Sequence, residues 1–267
     1  MIRVEFAKQT LRLRTYLLLG LMIVIPVIMT VALKVGGPPS DHRHGDFLNL
    51  VTDSGLDMPL AALGAMSGMF LLPLVVLVFA GGAIAEEASW GSLRYLLLRP
   101  VSRGRLLLSK LAVAAVLALV ATLLITLSAL AAGVIAFGWH PLVTLSSTTL
   151  PQNEALPRLV AATLYVAWSL SGIIAFGLML STMTDAALGA VSGGIGLTIV
   201  SEILDSIPAL GGLRDVFPTH YWRAWEGLFS QPAVTGDIVH GALLQIPYVV
   251  LFLAAAWWWF HRKDIVS

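Results

Sequence analysis

Long apolar runs separated by short polar stretches dominate this chain. Six of them, at about residues 16–33, 63–85, 111–137, 161–180, 186–203 and 243–260, approach or exceed the ~20 residues a helix needs to cross the hydrocarbon core of a bilayer. The pattern predicts an all-α polytopic membrane protein with six transmembrane helices in one domain. Pro26, Pro73 and Pro247 fall in or near these runs, where a kink is tolerated because neighbouring helices satisfy the freed carbonyls. The polar stretches between runs are 34–59, 86–110, 138–158, 181–185 and 204–242, with a tail at 261–267.

Composition agrees. Of 267 residues, 58% are apolar and 12% charged, against roughly 45–50% and about 25% in soluble domains. Mean hydropathy is +0.88. A soluble globular enzyme is excluded. The chain has no cysteine, so thiol catalysis, cysteine-ligated metals and disulfides are excluded as well.

The net charge of +1 hides a strong asymmetry. Eleven of the 16 lysines and arginines fall at the amino end, in the 86–110 stretch and in the tail, on one side of the predicted membrane. Asp41, Asp46, Asp53 and Asp57, and then Asp205, Asp215, Glu226 and Asp237, crowd the other side. Basic loops stay in the cytoplasm, so both termini are expected to be cytoplasmic. The basic start is too long in its apolar run for a secretory leader and has no small-residue cleavage site after it. Residues 1–15 read instead as an amphipathic helix along the inner face, with Ile2, Phe6 and Leu13 on one side and Tyr16 at the interface.

Residues 85–110, AEEASWGSLRYLLLRPVSRGRLLLSK, carry the most specific pattern. Glu86 and Glu87 would each cost about 2.5–3.5 kcal/mol at mid-membrane, so the second span ends there. Leu93, Leu96 and Leu97 then share a helical face with Arg94 pointing away, Pro100 breaks the helix, and Ser102 is placed to cap the next one. A charged helix–break–helix of this kind suits docking into a groove of a cytosolic partner. A plain basic loop would explain the arginines but not the glutamate pair, the leucine face or the proline.

The order Glu-Glu, Gly-Ser-Leu-Arg, Leu-Leu, Pro-Val-Ser-Arg and Lys in this stretch resembles the loop after the second span of type-2 ABC (ATP-binding cassette) export permeases. The resemblance implies six spans, cytoplasmic termini, an N-terminal connecting helix and a cytoplasmic coupling helix between spans two and three. It also implies a dimer, with a second permease copy or a sister permease, above two copies of an ATPase subunit. Gly91, Ser92, Leu93, Arg94 and Leu97 would form the coupling helix. Pro100, Ser102, Arg103 and Lys110 would set the turn back to the membrane, and Glu86 and Glu87 would pair with basic residues of the connecting helix or of the ATPase. The sequence has no G-x-x-x-x-G-K-[ST] phosphate loop, so ATP and Mg belong to the partner, and no cofactor or enzymatic activity is expected on this chain.

Elsewhere the signals are broader. Gly189 and Gly193 form a G-x-x-x-G pair, with Gly194 and Gly196 beside it. Such residues permit close helix approach, either at a dimer seam or pathway or within one subunit. Glu202 is the one acid expected at the hydrocarbon edge, a pathway residue or a helix end. Tyr221, Trp222 and Trp225 suggest an aromatic belt in the 204–242 segment. His42 and His44 are read as solvated rather than metal-binding, and no histidine lies inside a predicted span to serve a proton relay or activate Ser67.

The sequence therefore points to the permease subunit of an ATP-driven exporter of hydrophobic or amphipathic substrates (drug, antibiotic, peptide or lipid). It would sit in a prokaryotic cytoplasmic membrane, with lipid rather than nucleic acid around it. An ion-coupled secondary transporter, or a non-transporting anchor for a cytosolic partner, would share part of the pattern.

Overall fold

The computed structural model describes residues 2–36, 54–68, 70–89, 103–143 and 149–262. A short helix, α1 (Ile2–Thr10), turns into α2 (Leu13–Gly36). Helices α3 (Asp57–Gly68), α4 (Leu71–Ser89) and α5 (Arg103–Phe137) follow. A small antiparallel pair, β1 (Leu142–Val143) and β2 (Thr149–Leu150), precedes α6 (Gln152–Ser169), α7 (Ser171–Met183) and α8 (Ala187–Asp205). Two 3-10 stretches, Pro208–Val216 and Ala224–Phe229, lead to α9 (Gly236–Arg262).

Six helical stretches are long and apolar enough to cross a membrane: Leu13–Gly36, Leu71–Ser89, Arg103–Phe137, Gln152–Met183, Ala187–Asp205 and Gly236–Arg262. They differ from the sequence expectation in detail. The run expected at 63–85 is divided between α3 and α4, and helix begins at Asp57, well before residue 63. Pro59 and Pro73 sit in the first turns of those two helices, where a missing N–H costs nothing. The run expected from 161 starts at Gln152 and breaks at Leu170. There the Gln245 side chain from α9 takes the Gly172 N–H at 3.3 Å and replaces a helical acceptor. The β1–β2 pair is a small departure from the all-α expectation.

Helix α4 occupies the centre, packed on α5, α7 and α8. Most of its apolar residues are buried, Val75, Val76, Leu77 and Phe79 fully so. By contrast α2, α8 and α9 leave most of their apolar residues exposed or only partly buried, as lipid-facing helices do. Pro26 has no N–H for the carbonyl of Met22, and the Ser128 hydroxyl of α5 comes within 3.5 Å of that oxygen. Threonines inside the bundle are treated alike. Thr122, Thr126 and Thr163 each donate to the carbonyl four residues back, and Thr126 and Thr163 meet across α5 and α6 at 3.1 Å.

The end of the bundle that carries the β pair is closed by chain folded back onto the helices. Gly55 lies so close to α5 that an added Cβ would sit 2.5 Å from Val134 N, and Gly133 faces the Gly55 carbonyl equally tightly. The Ser54 hydroxyl donates to His140 O at 2.7 Å, and Asp57 Oδ1 accepts the Val143 N–H at 3.2 Å. These contacts explain why Ser54 and Asp57, read from sequence as outer-loop residues, are buried. Trp222 and Trp225 are likewise core residues, 3% and 0% exposed, rather than members of an interfacial belt. The second 3-10 stretch wedges Trp225 and Phe229 against α6 and α9.

Candidate functional site

At the opposite end of the bundle a network of charged side chains is built from three separate parts of the chain. Glu86 and Glu87 stand in the last turn of α4, where the exposed helix carbonyls already present negative potential. Two carboxylates there need cations, and the first fourteen residues supply them. Lys8 pairs with Glu87, and Arg12 and Arg14 both pair with Glu86. An added Cβ at Gly82, one turn below, would lie 2.6 Å from Glu86 Oε1 and 2.9 Å from Arg14 Nη1. Only a bare backbone lets that guanidinium and carboxylate settle against the helix.

Lys110, two turns into α5, is the hub. Its ammonium is completely buried and lies 2.8 Å from Glu5 Oε1, 2.8 Å from Glu87 Oε2 and 2.7 Å from the Ala83 carbonyl. An ammonium has three donors, and three oxygens surround this one. Glu87 is also fully buried, and its two oxygens are divided between Lys8 and Lys110. The network thus joins three carboxylates to four cations.

The N-terminal helix is arranged to serve this network. Glu5 and Gln9, one turn apart, are 7% and 1% exposed, whereas Val4 and Phe6 face outward. The polar side of α1 is turned toward the protein and the apolar side away from it. Thr15 donates to Gln9 O at 2.7 Å and fixes the corner between α1 and α2.

A further cation ties the last helix to the same end. Arg103, the first residue of α5, donates to the carbonyls of Phe260 at 2.7 Å and His261 at 3.0 Å. Those are terminal carbonyls of α9, where a positive group is favoured. The ends of α4 and α9, the start of α5 and all of α1 are therefore fastened together, and in sequence they flank the segment 90–102. Gly91, Ser92, Leu93, Arg94, Leu97, Pro100 and Ser102 lie in that segment, outside the described residues.

The small-residue motif of α8 divides. Gly194 is buried against α4, where an added Cβ would meet Leu77 Cδ2 at 2.4 Å, and Gly193 faces Leu180 Cδ1 at 3.2 Å. Gly189 and Gly196 are exposed, and Gly196 has open space beside it. Glu202 is half-buried beside Thr219, far along α8 from the charged end. It shares no contact with Glu86, Glu87 or Lys110, so the two groups singled out from sequence form two separate regions.

Basic residues of the N-terminal segment, or of a partner, were expected opposite Glu86 and Glu87 without being singled out; Lys8, Arg12 and Arg14 take that place, and the role of Glu5 was missed. The available signal was Glu5 and Gln9 at i, i+4, a polar stripe opposite the apolar one in a short helix.

No curated protein matches the chain. Residues 52–266 match the family described as protein of unknown function (DUF2705), a stretch that contains Glu86, Glu87, Arg103 and Lys110 but not α1. With that match spanning most of its length, the chain belongs to this family.

Proposed function

We propose that the chain is the permease subunit of an ATP-driven exporter and that the charged end of the bundle is where a separate ATPase acts on it. In this reading the six apolar helical stretches cross a prokaryotic cytoplasmic membrane with both termini in the cytoplasm. Two permease copies, or one copy with a sister permease, sit above two ATPase subunits that bind ATP and Mg. The chain itself performs no hydrolysis.

One observation carries the reading. The segment 90–102, whose sequence has the helix–break–helix pattern of a docking loop, is flanked on both sides by the buried ionic network. Glu86 and Glu87 precede it and Lys110 follows it in the chain, and Glu87 and Lys110 are both bonded to α1. A load applied to such a loop would be delivered to α4, α5 and α1 as one body instead of being lost in a hinge. Since α4 is the central helix, its displacement would reach α7 and α8. The cargo would be hydrophobic or amphipathic, in keeping with the aliphatic character of the bundle.

Gentle purification of the full chain from its native membrane tests this. The expected result is a co-purifying chain with nucleotide-binding motifs that is lost from Arg94→Glu and Leu97→Asp while the helical content of the permease is unchanged. Absence of any such chain from the wild-type preparation, with the helices intact, overturns the proposal. Ion-coupled transport, with Glu202→Gln as the first variant, would then be examined.

A further inference from the structure

A groove of about 520 Å³ runs along the outside of the bundle between α2 and α5. Its walls are almost wholly aliphatic: Ile23, Val27 and Val31 from α2 face Ala131 and Ile135 from α5. The α5 side is made of alanines and a serine through most of its length, which is why a channel remains where two helices otherwise pack tightly. From Ile23 to Lys34 the groove covers twelve residues of helix, roughly 17 Å. That matches one leaflet, about half of a ~30 Å hydrocarbon core.

The end remote from the ionic network is marked by Lys34. Its ammonium donates to the Ala136 carbonyl in the last turn of α5 at 2.8 Å. Two donors remain, and among the described residues no carboxylate pairs with it. Thr30 and Ser128, the other polar residues of the groove, direct their hydroxyls to helix carbonyls, so the floor offers a ligand nothing but aliphatic surface. The groove therefore presents a leaflet-long apolar slot and one cation at the depth where headgroups begin.

We infer that this groove is a binding site for a single anionic phospholipid of the bilayer, one acyl chain lying between α2 and α5 and the phosphate at Lys34. Charge complementarity selects the headgroup and the length of the slot selects the acyl chain. The inference needs only that these helices cross a membrane and is independent of the ATPase.

The test uses the full chain in nanodiscs containing equal amounts of phosphatidylglycerol and phosphatidylcholine, with retained lipid weighed by native mass spectrometry. The expected result is one tightly held lipid per chain, enriched in phosphatidylglycerol by about five-fold, the scale of one lysine beside anionic headgroups. Lys34→Gln should return the ratio to that of the disc, Lys34→Arg should preserve the enrichment, and Ala131→Phe should displace the lipid altogether. Lys34 and Ala131 are both exposed, so circular dichroism should show unchanged helix in each variant. Equal enrichment in Lys34→Gln, a retained lipid that survives Ala131→Phe, or a lipid-free groove covered by a second copy of the chain would each overturn the assignment.

Discussion

The two ends of this bundle are closed by different chemistry. At one end α1, α4 and α5 are joined by charge: Lys110 is buried between Glu5 and Glu87, and Glu86 is shared by Arg12 and Arg14. At the other end, side chains reach backbone carbonyls of the folded-back segment. Tyr165 donates to Tyr221 O at 2.7 Å, Gln245 to Pro218 O at 3.0 Å, Tyr248 to Val216 O at 2.6 Å and Arg158 to Leu228 O at 2.8 Å. A bond to a backbone carbonyl does not depend on which residue carries the acceptor. An ion-pair network does, because deleting one member strands the others. The charged end should fail as a unit, and the carbonyl-directed end should tolerate piecemeal change.

Removing the hub should have the largest effect. Lys110→Met leaves Glu5 and Glu87 buried without their shared cation, a loss of about 3–5 kcal/mol. Thermal unfolding in detergent should show it, as should release of α1 to proteolysis. The triple variant Glu5→Met, Glu87→Met, Lys110→Met should recover a large part of that loss, since apolar replacements of a whole buried ionic group are often neutral. If the triple variant is no more stable than Lys110→Met, the network is not a unit and the contrast between the ends fails.

Gly133→Val comes next. It forces a side chain into the space held by the Gly55 carbonyl and Met58, and a cost of about 1–3 kcal/mol is expected from overpacking. The effect should be confined to the β-pair end, with protease resistance of α1 unchanged.

Smaller losses are expected from the carbonyl-directed bonds. Tyr165→Phe should cost about 1 kcal/mol, and Tyr165→Phe combined with Tyr248→Phe should cost close to the sum, because their acceptors are separate. Strong non-additivity in that pair would contradict the piecemeal picture. Smallest of all, Arg103→Gln removes a cation from the terminal carbonyls of α9 and should cost about 0.3–1 kcal/mol, read as increased hydrogen exchange in the last turn of that helix.

Much of this architecture was legible in advance because hydrocarbon imposes one rule on every crossing segment. Six apolar runs predicted six apolar helical stretches, and Glu86 marked the charged end of α4 to within three residues of its last residue, Ser89. The errors have specific causes. Ser54 and Asp57 read as outer loop because their polarity was visible and their partners, His140 and Val143, were more than eighty residues away. Leu170 gave no local sign of a break, since the break depends on Gln245 from another helix. Trp222 and Trp225 resembled interfacial aromatics because burial beneath a folded-back segment leaves no periodicity.

The candidate site shows the same division. Glu86, Glu87 and Lys110 stood out from sequence because charges beside an apolar run are costly wherever they lie. That cations of the N-terminal segment, or of a partner, would answer the two glutamates was expected from the resemblance, but which cation meets which carboxylate, and that Glu5 joins them through Lys110, was not readable.

The sequence alone determined what the surroundings must be, because helix length and apolar content are properties of each segment taken separately. The tertiary structure decided the pairings: which cation meets which carboxylate, which glycine admits which backbone, and where two lipid-facing helices leave a slot with a lysine at its end. Those depend on distances between parts of the chain that sequence order does not measure.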